Sequence, residues 1–258
     1  MLTFVGLGLY NEESITIAGK NAIQTADHVF AEFYTSTLTG TTVEDLEEYH
    51  NVEIVVRDRE GVEQDPGEML DLATEGKVCF LTAGDPMVST THTDLRLRAA
   101  ERDIETQIIH GQSAQAASCG LTGLQNYRFG KATTLPFPDT TDREVPSSVI
   151  ETIEANKARN LHTLVYLDID AKDDRYLSGP KAATMLEPHL EDGLGVIVAR
   201  AGSADPVVVA DTLENLSDYD IGGPLHILII PGLLHHIEAQ ALKMFGDAPP
   251  ELIDQYED

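Results

Sequence analysis

Apolar residues in this chain fall in short, nearly continuous runs separated by stretches of helical spacing. The runs at residues 2–5, 28–33, 52–56, 78–81 and 106–109 have the length and β-rich content of buried strands. Between them, residues 15–26 place Ile15, Ala18, Ala22 and Ile23 on one helical face, and residues 66–74 and 93–102 carry further helical patterns. Apolar strands alternating with helices predict a parallel sheet covered on both faces. The second half has a different rhythm. Residues 132–135, 163–167, 196–199, 207–210 and 226–230 read as strands, and the short link from 196–199 to 207–210 predicts an antiparallel pair in a mixed sheet. The change falls near Gly111-Gln112-Ser113, which predicts one α/β domain over residues 1–111 and a second over residues 112–258. No internal repeat or low-complexity segment interrupts either half.

Composition narrows the class. A hydrophobic fraction of 42% over 258 residues is ample for folded cores, so the high charge does not signal disorder. That charge is −27, from 44 acidic and 17 basic residues, with pI about 4.4. The acids run along the whole chain, as in Glu44, Asp45, Glu47 and Glu48 or Asp139, Asp142 and Glu144. Repulsion from phosphate argues against a general nucleic-acid or anionic-membrane binder. Arg (ten) exceeds Lys (seven) and Trp is absent. An ordinary acidic protein would satisfy these counts. The sharper reading is a haloarchaeal cytosolic protein whose carboxylate-rich surface stays hydrated in concentrated salt, where screening removes its self-repulsion. Cys79 and Cys119 lie far apart without metal-ligand spacing and read as buried reduced thiols. No signal peptide precedes the first strand, and the apolar stretch 225–234 is broken by Pro231 and Gly232 and is too short to span a bilayer. The expectation is a cytoplasmic protein.

Three segments hold candidate chemistry. Gly6-Leu7-Gly8-Leu9 follows the first strand and leads towards a helix, so its backbone can approach a ligand closely or form a plain tight turn. The next glycine is Gly19, so this is not the dinucleotide fingerprint, and the helix starts too late to face a pyrophosphate. Gly84-Asp85-Pro86 follows the strand at 78–81; Asp85 either caps a helix or offers a carboxylate to a cationic or hydroxyl-bearing ligand. Gly111-Gln112-Ser113-Ala114 stands between a strand and a small-residue helix. Three strand-end loops on one edge of a parallel sheet can converge on one crevice. His92, His110, His162 and His226 are scattered, and adjacent His235 and His236 cannot chelate one metal from a helix, so most read as structural. No nucleophile elbow surrounds Ser113, and no Walker-type cradle is present. The residues alone point to a two-domain α/β protein with a cleft for a polar small molecule.

At these positions the chain resembles a known family. Gly6-Leu7-Gly8-Leu9-Tyr10, Phe30-Ala31-Glu32-Phe33-Tyr34-Thr35-Ser36, Gly84-Asp85-Pro86, Thr90-Thr91-His92, Ala199-Arg200-Ala201-Gly202-Ser203 and Pro224-Leu225-His226-Ile227-Leu228 look like the diphthine synthases. These belong to the tetrapyrrole-methylase-like class of S-adenosylmethionine-dependent methyltransferases, and the resemblance runs from residue 1 to about 254. It implies two α/β domains with the cofactor in a cleft between them, a homodimer, and no metal. It further implies methylation of the amino group of the 3-amino-3-carboxypropyl histidine of elongation factor 2. Carried over by motif, the cofactor contacts are Leu9, Asp85, Val88, Ser113, Ala114, Leu167, Ala201 and His226. Ala114 stands where the family pattern has a larger apolar residue, a change that a main-chain contact would survive. No substrate contact or catalytic base is carried over. The alternatives are a tetrapyrrole-precursor C-methyltransferase of the same fold and a non-catalytic acidic binding protein.

Overall fold

The structure, a computed structural model, describes residues 1–140, 144–190 and 193–257, so Asp142 lies outside the described residues. The chain divides into two compact units, Met1–Ser113 with Ala171–Asp173, and Ala114–Asp170 with Asp174–Asp258.

In the first unit, β1 (Leu2–Gly6), β2 (His28–Glu32), β3 (Val55–Val56), β4 (Val78–Thr82) and β5 (Thr106–Ile109) form one sheet in the order β3-β2-β4-β1-β5. Every pairing in it is parallel. The helices are α1 (Ile17–Gln24), α2 (Val43–His50), α3 (Gly67–Glu75) and α4 (His92–Glu101). Alternate strand residues point to opposite faces and fill two separate cores. Leu2, Phe4, Phe30, Val78 and Phe80 pack against Met69, Leu70 and Ala73 of α3 and Leu95 and Ala99 of α4. Val5, Val29, Ala31, Cys79 and Leu81 pack against Ile23 of α1 and Leu46 of α2 on the other side. Burial of each large apolar side chain contributes about 1.5–3 kcal/mol, which explains the unbroken apolar runs. Neighbouring strands β1 and β4 therefore send the chain to helices on opposite faces. In open parallel sheets the carboxyl ends at such a reversal are where ligands bind.

Two local expectations shift. The strand expected at 52–56 pairs only at Val55–Val56, because Val52 and Ile54 donate their N–H groups to the carbonyl and side chain of Glu47 instead of a neighbouring strand. Helix α2, not anticipated, starts with a capping box in which Thr42 Oγ1 accepts from Asp45 N at 3.1 Å and Asp45 accepts from Thr42 N at 3.0 Å.

The second unit contains β6 (Thr133–Leu135), β7 (Thr163–Leu167), β8 (Ile169–Asp170), β9 (Arg175–Tyr176), β10 (Leu194–Ala199), β11 (Val207–Thr212) and β12 (His226–Ile230). Its main sheet runs β11-β10-β12-β7-β6, while β8 and β9 form a separate hairpin. Only the β6–β7 pairing of the main sheet is parallel. The short link between β10 and β11 produces the expected antiparallel register, with Val196 opposite Ala210 and Ala199 opposite Val207. The helices are α5 (Ala114–Thr122), α6 (Ser147–Lys157), α7 (Gly179–Leu186), α8 (Leu213–Leu216), α9 (His236–Phe245) and α10 (Pro250–Ile253). Helices α6, α7 and α8 close one core against Val165, Ile197 and Leu228, and α9 and α10 close the other against Leu164, Val196 and Ile229. No helix among the described residues is long and apolar enough to cross a membrane.

The cysteines differ from each other. Cys79 is buried in β4, and burial pushes its thiol up to about 12. Cys119, expected to be buried, is half-buried on α5, whose covered side carries Ala117 and Ser118; its Sγ donates to Gln115 O at 3.2 Å.

Candidate functional site

The carboxyl ends of β4, β1 and β5 lie side by side, and at that edge three glycines meet. A Cβ on Gly6 would lie 2.5 Å from Gly111 N and 2.6 Å from Gly84 O, so the three backbones touch where any side chain would hold them apart. Gly8 and Gly84, with φ of +77° and +76°, bridge the two loops by reciprocal bonds, Gly8 N to Gly84 O at 3.1 Å and Gly84 N to Gly8 O at 2.7 Å. Helix α1 begins at Ile17, with Thr16 capping Gly19 N, well past this loop.

Asp85 sits at the same edge and is 6% exposed. It does not cap a helix: α4 starts at His92, and Asp85 Oδ1 accepts from Met87 N at 2.9 Å, closing a turn on itself. Its Oδ2 accepts from His110 Nδ1 at 2.7 Å. The His110 ring is 69% exposed, so this pair faces solvent through the imidazole. The residues expected here from the first unit come together on three adjacent loops: Leu9 after Gly8, Asp85 and Val88 after β4, and Ser113 after β5. Leu9, Val88 and Ser113 are all half-buried.

Behind the Asp85 turn, His92 and Glu32, 60 positions apart in the chain, meet in a buried polar pair that their sequence positions do not announce. His92 Nδ1 donates to Pro86 O at 3.0 Å, and its Nε2 stands 3.4 Å from Glu32 Oε1. Glu32, at the end of β2, accepts from Tyr34 N and Thr35 N, each at 3.0 Å, and from Thr35 Oγ1 at 2.5 Å. Burial raises the Glu32 carboxyl above its ordinary range against the opposing pull of those bonds, and burial lowers the His92 imidazole. The sequence signal was a carboxylate closing an otherwise apolar strand run.

In the second unit the expected residues also gather at one edge. Ala199 pairs with His226 across β10 and β12, and Ile227 pairs with Tyr166 across β12 and β7. Ala201, His226 and Leu167 therefore lie at neighbouring strand ends, and Ala114 packs against the same apolar cluster as Ala201. His226 is fully engaged: Nδ1 accepts from Gly179 N at 3.0 Å and Nε2 donates to Gly223 O at 2.9 Å. That pattern needs the neutral ring, and burial lowers its affinity for a proton in the same sense. Arg200, at φ +50°, donates from Nη1 to Ile221 O at 2.8 Å and Gly223 O at 3.1 Å, which fixes the loop ahead of His226.

Of the other histidines, His162 is structural, with Nε2 donating to buried Glu238 at 3.0 Å and Nδ1 accepting from Gly232 N at 3.1 Å. His235 forms the N-terminal cap of α9. Among the described residues, no group of three or more His, Cys, Asp or Glu is placed to hold a metal ion.

Comparison with known proteins agrees with this geometry. Residues 1–217 match the family model described as Tetrapyrrole (Corrin/Porphyrin) Methylases. The chain is 58% identical to a diphthine synthase of Halorubrum lacusprofundi, over 99% of this chain and 100% of the relative. It is 59% identical to a diphthine synthase of Haloquadratum walsbyi, over 98% of each chain. A crystal structure of a diphthine synthase superimposes with a TM-score of 0.91 at 37% identity, covering 98% of both chains. Together the parallel and mixed sheets, the glycine-lined strand ends and these matches show that the chain belongs to the diphthine synthases, methyltransferases of the tetrapyrrole methylase family that act in diphthamide biosynthesis.

Proposed function

We propose that this enzyme transfers methyl groups from S-adenosylmethionine to the amino group of the 3-amino-3-carboxypropyl histidine of elongation factor 2, forming diphthine. The observation that carries the proposal is the near-complete match to diphthine synthases at 58–59% identity; the three strand-end loops of this chain lie on adjacent strands. The carboxyl edge of the first unit suits such a cofactor on two counts. Its glycine-only junction lets the three strand-end loops pack backbone to backbone and so draws their following residues together, and Asp85 brings a buried carboxylate suited to an ammonium or hydroxyl group. When bound, S-adenosylmethionine supplies an electrophilic methyl group on a sulfonium centre. The contacts proposed for it are Leu9, Asp85, Val88 and Ser113 in the first unit and Ala114, Leu167, Ala201 and His226 in the second. His226 acts there as a neutral, positioned ring, since both nitrogens are already bonded. The acceptor is nucleophilic only as the free amine, and loss of its proton to water suffices, so no residue is assigned as base. We further propose that the enzyme works in the cytoplasm as a homodimer, with no metal and no nucleic-acid partner.

Mass spectrometry of elongation factor 2 after incubation with the enzyme and S-adenosylmethionine tests the assignment. Substrate carrying the aminocarboxypropyl group is expected to gain mass in methyl-sized steps. Substrate from a strain unable to attach that group is expected to stay unchanged. Equal methylation of both would overturn the acceptor assignment.

A further inference from the structure

His92 is buried at 1% exposure with its ring edge-on to Phe80, centroids 5.0 Å apart, so it has no freedom to serve a surface role. Its Nδ1 faces a carbonyl oxygen, which only accepts, so Nδ1 carries the hydrogen. That carbonyl belongs to Pro86, the residue after Asp85, and it also accepts from Thr90 Oγ1 at 2.7 Å. Two donors from one short segment, Thr90-Thr91-His92, therefore converge on a single oxygen of the Asp85 turn. On the opposite side of the ring, Nε2 is buried without a hydrogen-bond partner; Glu32 Oε1 lies 3.4 Å from it, and Glu32 is itself held by the N–H groups of Tyr34 and Thr35. The chain of contacts runs from the end of β2, through His92, into the loop after β4.

We propose that His92, assisted by Thr90, is a positioning residue that fixes the Gly84-Asp85-Pro86 turn and so holds the Asp85 carboxylate in place for the cofactor. The inference rests on the cofactor reading of Asp85 given above. Neither His92 nor Thr90 needs to touch the cofactor. Each acts through the Pro86 carbonyl, and a turn that wanders by a fraction of an ångström loses a directional carboxylate contact.

The test uses the full-length enzyme in molar potassium chloride, with S-adenosylhomocysteine as the titrant in calorimetry. His92→Phe keeps the ring contact with Phe80 and removes the donor to Pro86 O. Thr90→Val removes the second donor at a half-buried position. His92→Asn retains an N–H donor on a short side chain. His92→Phe is expected to weaken binding about tenfold and Thr90→Val by about threefold, while His92→Asn recovers most of the loss. In methyl-transfer assays the KM for the cofactor is expected to rise more than kcat falls, whereas a purely structural defect would reduce active enzyme without raising KM. Wild-type affinity in a folded His92→Phe variant would overturn the proposal. If that variant does not fold, unchanged affinity in Thr90→Val would do the same. Asp85→Ala runs in parallel: if it binds S-adenosylhomocysteine normally, the cofactor reading itself fails, independently of His92.

Discussion

At the scale of single residues, Asp85 is pulled in two directions. Its Oδ1 closes the local turn on Met87 N, and its Oδ2 holds His110, so the side chain is part of the backbone's own support as well as a candidate ligand contact. Removing it costs the turn bond, about 1 kcal/mol, and the solvent-facing pair with His110, about 0–1 kcal/mol, which the fold tolerates, together with a charge-assisted contact to the cofactor of about 1.5–3 kcal/mol. Asp85→Ala is therefore expected to stay folded and to bind S-adenosylhomocysteine roughly ten- to a hundredfold more weakly in calorimetry. Undiminished affinity would leave Asp85 as a turn residue only. The motif around Asp85 was legible in the sequence because Gly-Asp-Pro after an apolar strand has few structural meanings. Its partners were not. His110 lies 25 positions away and Glu32 and His92 are 60 apart, so nothing along the chain announces that each pair meets.

Among the elements, α9 shows how a helix is tied into its unit by charge. Glu238 is fully buried, and its carboxylate accepts from Gln125 N at 2.8 Å, His235 N at 2.9 Å, and Arg128 Nη1 and His162 Nε2 at 3.0 Å each. Burial pushes this carboxyl up, and the bonds from His162, Gln125 and His235 outweigh it, leaving the group below the ordinary carboxylate range. A carboxyl depressed in the folded state adds stability above its unfolded value and loses it as pH falls through the folded one. Glu238→Gln is expected to destabilise the protein by roughly 2–3 kcal/mol at neutral pH, because its four donors lose a charged acceptor. The gap between wild type and variant is expected to close as pH drops below the ordinary carboxylate range. Thermal melts from neutral pH to pH 3 check this; a gap independent of pH would contradict it. The main-sheet strands of the same unit were readable as apolar runs, and the β10–β11 pairing followed from its short link, whereas the two-residue strands β8 and β9 were not expected. The bundle of loop, helix and strand around Glu238 was not, since its donors are spread from residue 125 to residue 235.

The molecule as a whole carries a charge of −27, and its behaviour in salt follows from that. At ~0.1 M salt the Debye length is ~10 Å, and neighbouring surface carboxylates repel across it; at ~1 M it is ~3 Å and the repulsion is confined to contact pairs. Structure and activity are expected to fall below a few tenths molar potassium chloride and to recover near the molar range, as followed by circular dichroism and methyl transfer. A flat response across the series would remove the halophilic reading, which the haloarchaeal relatives otherwise favour. Composition, charge and the succession of apolar runs belong to the chain by itself, because each residue's preference for water or for a covered face acts locally. Those preferences were enough to determine a parallel sheet followed by a mixed one, and the three glycine loops at the strand ends. Which strands stand next to one another is a different matter: β4 lies between β1 and β2, and β5 is on the far side of β1, an order decided by how helices cover two faces at once. Only that order brings Gly6, Gly84 and Gly111 into contact and sets His92 and Glu32 behind Asp85, since contact between residues far apart in the chain depends on packing the whole sheet.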